Sequence, residues 1–172
     1  MNKIKTKFKD LYLFQSTNFK DNRGFFRELV LEEQVKSKLI FYVVSKSKKN
    51  VLRGLHFQLK KSQGKYLSVL KGEIFDIALD CRPKSKTFGK YFKVFLSDKN
   101  CKSIFIPPGF AHGFVGLKKE NIVMYGCTNY RNKESESGII WNDPTLKIKW
   151  PVKKPILSKK DKGNQTFKYY FG

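Results

Sequence analysis

Histidine is nearly missing from this chain. Only His56 and His112 occur in 172 residues, so a three-histidine metal site is impossible. Arginine is also scarce. Five of the 36 basic residues are arginines, at positions 23, 27, 53, 82 and 131, and the rest are lysines. Nucleic-acid readers depend on the bidentate arginine fork, and neither a basic helix nor an RNA-binding aromatic signature accompanies the lysines. Against only 14 acidic residues the net charge is +22, with denser lysine at 46–49 and 153–162. We read this excess as a solvated surface that draws anionic ligands inward, with no nucleic acid as partner. Cysteine is limited to Cys81, Cys101 and Cys127, with no Cys-x-x-Cys. That suits free, buried thiols in a reducing compartment. No apolar run reaches the roughly 18 residues of a membrane span, and MNKIKTKFKDLYLF lacks the apolar core of a secretory signal. A cytoplasmic protein without membrane contact is expected. Neither a phosphate-binding loop nor a dinucleotide-binding glycine fingerprint is present.

What the chain does have is aromatic and apolar. Aromatics make up 15%, with 16 Phe, and the apolar fraction of 40% is enough to fill a core despite the high charge. Short apolar runs separated by Gly, Pro, Asn, Asp or Lys follow one another from residue 39. They are 39–44, 50–58, 65–70, 73–79, 90–96, 103–106, 112–117 and 121–130, all of strand length and rich in β-branched or aromatic residues. This rhythm predicts an all-β sandwich or barrel. Helix is confined to one short segment within 27–38 and a start at 158–161 capped by Ser158. No repeat or linker divides residues 1–172, which are read as one domain.

Polar residues inside these strands are the candidates for chemistry. Alternation puts Phe75, Ile77 and Leu79 on one face of their strand and Ile74, Asp76 and Ala78 on the other. Asp76 is then a carboxylate on an apolar face, costly to bury unless it is paired. His56 is expected to share a face with Leu52, with Gly54 between them as the place for a bulge or close backbone approach. Tyr125 falls with Val123 and Cys127. A histidine, a carboxylate and a tyrosine on inner barrel faces can form an acid–base pocket, although each alone is more often a satisfied core residue.

The motifs DNRGFFRE (21–28), VLRGLHFQ (51–58), QGKYLSVLKGEIFDIALDCRPKSKTFGKY (63–91), IPPGFAHGF (106–114), WNDP (141–144), IKWP (148–151) and LSKKD (157–161) appear in that order. Together with the Tyr125 strand, this set resembles the dTDP-4-dehydrorhamnose 3,5-epimerases, sugar-nucleotide epimerases of the cupin superfamily. The resemblance implies a cupin-type jelly-roll β-barrel with a few short flanking helices. It implies a homodimer that exchanges N-terminal segments, and a nucleotide-diphospho-4-keto-6-deoxyhexose substrate. His56 matches the base, Asp161 its orienting carboxylate, and Tyr125 the acid on the opposite face of the sugar. Lys65, Asp76 and His112 match groups around the sugar ring, with Lys65 suited to an enolate. Arg23, Glu28, Arg53 and Lys160 match positions that hold the diphosphate, Arg23 and Glu28 reaching across the dimer. Phe26, Ser45, Ser47 and Glu136 match further substrate positions. No metal or other cofactor is implied: metal-binding cupins carry His-x-His, and this chain reads Leu55-His56-Phe57 there.

Two departures stand out. Where the family carries Gln and Asn two residues apart before Ser-x-Ser, this chain has Phe41 and Val43, with Ser45 and Ser47 retained. The missing amides belong to the nucleotide end of the pocket. A usual Tyr-Tyr pair appears as Tyr130-Arg131, and Arg131 is read as solvated. These positions separate double epimerisation of a dTDP sugar from single-carbon epimerisation or another nucleotide. A non-catalytic sugar-nucleotide-binding cupin is the alternative of a different class.

Overall fold

The computed structural model describes residues 1–172. Its strands are β1 (Asn2–Lys5), β2 (Tyr12–Gln15), β3 (Phe19–Asp21), β4 (Gly24–Phe26), β5 (Phe41–Lys48), β6 (Leu52–Gln58), β7 (Lys65–Lys71), β8 (Glu73–Asp80), β9 (Tyr91–Ser97), β10 (Lys102–Ile106), β11 (Phe110–Gly116), β12 (Glu120–Cys127) and β13 (Glu136–Gly138). Helices are short: α1 (Glu32–Val35), α2 (Lys159–Lys162) and α3 (Phe167–Phe171). Six strands, in the order β1-β2-β10-β7-β12-β5, form one antiparallel sheet, and β13-β6-β11-β8-β9 form the other. The two sheets make the expected jelly roll of the cupin type.

Three apolar clusters follow from strand alternation. Between the sheets lie Leu67, Val69, Ile74, Ala78, Ile104, Phe110, Phe114 and Val123, drawn from both sheets. Phe75, Ile77 and Leu79 point the other way, as alternation predicts. With Leu52, Leu55 and Phe57 they form an outer layer that the C-terminal segment covers through Leu146, Trp150 and Phe167. A third cluster, Phe14, Tyr66, Phe105, Val35 and Leu39, seals the outside of the six-stranded sheet beneath α1. All three cysteines are free and buried. No helix is long and apolar enough to cross a membrane.

Two local expectations need correction. The segment 27–38 forms only the single turn of α1. Its upstream carbonyls are taken by tertiary donors instead of helical N–H groups: Ser16 Oγ donates to Glu28 O at 2.8 Å and Tyr66 Oη to Leu29 O at 2.5 Å. Downstream, Lys36 adopts a left-handed conformation with φ 58° and ends the turn. The second correction concerns β6. Leu52 packs outward with Leu55 and Phe57, three residues apart rather than two or four. Between the pairs His112↔His56 and Phe114↔Arg53, β6 spends three residues where β11 spends two. This bulge reverses the phase, so His56 shares its face with Arg53 and not with Leu52.

Candidate active site

The bulge sits at Gly54 because nothing larger fits. A Cβ there would lie 2.6 Å from both Gly113 Cα and His112 O of the neighbouring strand. Its φ of +118° is also a region that favours glycine. Unbroken alternation would have placed Arg53 on the far side of the sheet from His56. With the bulge, both line one cavity of about 280 Å³ between the sheets.

The five-stranded sheet supplies Arg53 and His56 from β6 and His112 from β11. The six-stranded sheet supplies Ser45 from β5, Lys65 from β7 and Tyr125 from β12. His56 and Tyr125 therefore stand on opposed walls. Behind His56, α2 presents a buried carboxylate: Asp161 Oδ1 is 2.5 Å from His56 Nε2. Ser158 caps that helix, accepting from Asp161 N at 3.0 Å, as its sequence position predicts. Burial raises the Asp161 carboxyl, but the hydrogen bond and charge of His56, with Ser158 and Asn164, outweigh it and hold it below its ordinary value. The carboxylate keeps Nε2–H as its donor and leaves Nδ1 unshared.

A second pair lies beside the first. His112 is directly opposite His56 across β6 and β11, and its Nε2 is 2.8 Å from Asp76 Oδ2. Asp76 is thus paired, as the cost of burying it requires, although its Oδ1 has no partner. Burial pushes the His112 imidazole down, and Asp76 opposes this only partly. Tyr125 Oη is 2.7 Å from Ser45 Oγ. Burial raises its phenol to about 12, so at neutral pH it holds its proton. Lys65, half-buried at the start of β7, is pulled below the ordinary lysine value by burial, against the opposing charges of Cys127, Glu136 and Asp76.

The mouth carries a cluster of charge. Glu136 Oε2 binds Arg131 Nη2 at 2.7 Å and Lys160 Nζ at 2.6 Å. Burial alone would raise the Glu136 carboxyl, yet these two cations bring it down to about 2. Arg131 is ion-paired at the cavity wall and, with its side chain 57% exposed, also solvated as expected. Arg53 donates to Ser47 Oγ at 2.9 Å and to Lys46 O at 3.1 Å, and no carboxylate neutralises it. Ser47 therefore orients Arg53 and does not itself line the cavity. Gln58, Gln63, Phe110, Phe114 and Cys127 also line it without having been singled out. Gln58, Phe110 and Phe114 each lie two residues along a strand from His56 or His112, so alternation places them on the same inward faces, whereas Gln63 lies just outside β7.

Besides Ser47, three expected site residues lie away from this cavity. Arg23 and Phe26 stand on the β3–β4 hairpin, where Arg23 pairs with Asp21. Glu28 follows the hairpin, 4.0 Å from the N-terminal amine.

The sequence from residue 5 to 169 matches the model of the dTDP-4-dehydrorhamnose 3,5-epimerase family. The chain belongs to this family. A dTDP-4-dehydrorhamnose 3,5-epimerase of Shigella flexneri is 46% identical over 97% of the chain and 96% of that protein. The epimerase structure from Elizabethkingia anophelis superposes with a TM-score of 0.92 at 39% identity, covering 100% of this chain and 99% of that one. The 3,5-epimerase of Legionella pneumophila, solved in complex with dTDP-4-keto-L-rhamnose, gives a TM-score of 0.91 at 41% identity over 96% and 92%. The cavity of this family member thus lies in a barrel that also houses solved sugar-nucleotide epimerases.

Proposed function

We propose that the protein epimerises a dTDP-linked 4-keto-6-deoxyhexose at the two carbons flanking the ketone, turning dTDP-4-dehydro-6-deoxyglucose into dTDP-4-dehydrorhamnose. One observation carries this: His56, backed by Asp161, faces Tyr125 across a single cavity. A carbon acid beside a ketone needs a base poised near neutral pH and a charge to hold the enolate oxygen. In this reading His56 Nδ1 takes the proton, and Asp161 stabilises the imidazolium that forms. Lys65 holds the enolate oxygen. Tyr125 returns a proton from the opposite wall, which inverts the carbon. A turn of the sugar ring then presents the second carbon to the same pair. Arg53 and Lys160 receive the diphosphate, and no step requires a metal or organic cofactor.

The same reading makes the protein a homodimer acting in the cytoplasm. The β3–β4 hairpin pairs with neither sheet and exposes Phe19, Phe25 and Phe26 at 60%, 59% and 67%. Such a patch suits burial against a second copy, where Arg23, Phe26 and Glu28 would reach the partner's cavity.

Nuclear magnetic resonance of dTDP-4-keto-6-deoxyglucose in deuterium oxide tests the chemistry. Deuterium is expected at both flanking carbons with the wild type and at neither with His56→Ala. Tyr125→Phe should still exchange protons while inverting at least about a hundredfold more slowly. Normal exchange by His56→Ala would sink the mechanism. Label at only one carbon would reduce the activity to a single epimerisation.

A further inference from the structure

The loop between β8 and β9 is held by a fully buried carboxylate that the proton chemistry does not use, that of Asp80. Arg82 donates to it from Nε and Nη2, both at 2.8 Å, and the hydroxyls of Ser85 and Thr87 donate to Oδ2 at 2.6 Å each. Burial pushes the Asp80 carboxyl up, but these donors bring it down to about 2. Backbone bonds from Ser85 N to Arg82 O and from Gly89 N to Asp80 O, each 2.9 Å, close the same loop. Arg82 also reaches the β1–β2 loop, donating from Nη1 to Lys9 O at 3.2 Å. The two loops are thus tied together on a fixed scaffold.

A groove of about 460 Å³ runs between them. One loop contributes Lys7 and Lys9, the other Lys84 and Lys86, and no apolar side chain lines it. All four lysines are exposed, and none forms an ion pair. Asp80 is spent on Arg82, and the other carboxylate nearby is Asp10, whose charge reaches Arg82. A larger lysine-rich depression around Glu120 differs in this respect, because Lys46, Lys71 and Lys118 are paired there with Glu120 and Glu73. Like charges gathered on a rigid frame repel one another, and an anion between them removes that cost. The backbone N–H groups of Lys84 and Lys86 donate to no acceptor in the chain, which adds two donors on the same loop. Arg82 stacks on Phe110, its guanidinium carbon 4.6 Å from the ring centroid, and Phe110 lines the catalytic cavity. These two side chains stand between the groove and the cavity.

We propose that this groove binds a multiply charged phosphate chain, a triphosphate or longer, at a site separate from the catalytic cavity. A groove with no aromatic or apolar lining has nothing to hold a base, so the chain of phosphates is itself the ligand. Several charges on one ligand are required, because a single exposed ion pair contributes little. The site stands whether or not the cavity performs the epimerisation.

Titration of the whole protein with sodium triphosphate in about 150 mM NaCl tests this, since the diffuse field is then screened beyond about 8 Å. Amide NMR should show saturable shifts at Lys84 and Lys86. By calorimetry, Lys84→Gln/Lys86→Gln should weaken binding by about tenfold, the loss of two exposed ion pairs. Lys153→Gln/Lys154→Gln removes the same charge from exposed positions outside the groove and should change the affinity by less than about twofold. ATP should bind no more tightly than inorganic triphosphate, because nothing in the groove meets a nucleoside. Unmoved amides at Lys84 and Lys86 would overturn the proposal. So would equal weakening by the two double variants, which would leave only the summed charge, or a marked preference for ATP.

Discussion

Asp161 determines which tautomer the neutral His56 ring adopts. Its carboxylate fixes Nε2–H and lies ready to balance an imidazolium, so replacing it by Asn keeps the size and removes the charge. Asp161→Asn is expected to lower kcat by about a hundredfold or more, with a smaller change in KM. The same group links stability to pH. Because its folded carboxyl lies below the ordinary value of 3.8, its contribution is complete above that value and is lost as the pH falls through the folded one. The thermal stability gap between wild type and Asp161→Asn should therefore be full at pH 7 and close below about pH 4. Melting temperatures measured across this range check it, and a gap that widened in acid would contradict the pairing. Periodicity could never have joined His56 to Asp161, since 105 residues separate them. Only the motif order put them together.

At the scale of elements, most strands were legible because alternation and punctuation act locally. The eight apolar runs all became strands, with ends shifted by a few residues. The strands β1, β2, β3, β4 and β13 were not legible, being only three or four residues long. Strand β13 exists because Ser137 and Gly138 pair with Phe57 and His56. The reversal in β6 was hidden for a related reason: it depends on Gly54 meeting Gly113 across the sheet, and β6 alone does not contain that information. The helix α2 was readable through its cap, and that cap carries function as well as stability. Ser158→Ala removes the acceptor for Asp161 N and should cost about 1 kcal/mol. It should also loosen the carboxylate behind His56. Denaturant titration should show the stability loss, and kcat should fall while Ser158→Thr restores both. A stability loss with unchanged kcat would mean that α2 positions Asp161 without its cap.

For the molecule as a whole, the dominant fact is a charge of +22 on a protein whose proposed substrate is a dianion. The lysines do not converge on the cavity. Three neutralise carboxylates elsewhere, Lys46 and Lys71 on Glu120 and Lys118 on Glu73, and the others form no ion pair away from the cavity. Their contribution is therefore the summed field, which raises the encounter rate with an anion without improving its fit once bound. Contacts inside the half-enclosed cavity are screened far less by salt than the field around it. Raising NaCl from about 20 to 300 mM shortens the screening length to below about 8 Å. Across that range kcat/KM should fall severalfold while kcat stays nearly constant. Charge-reversal of Lys153 and Lys154, in a lysine-dense segment outside the cavity, should reproduce part of the same loss at low salt and vanish at high salt. Steady-state kinetics across the salt series would reveal this. Salt-insensitive kcat/KM would reduce the lysine excess to a property of the solvated surface alone, because a steering field must weaken with screening.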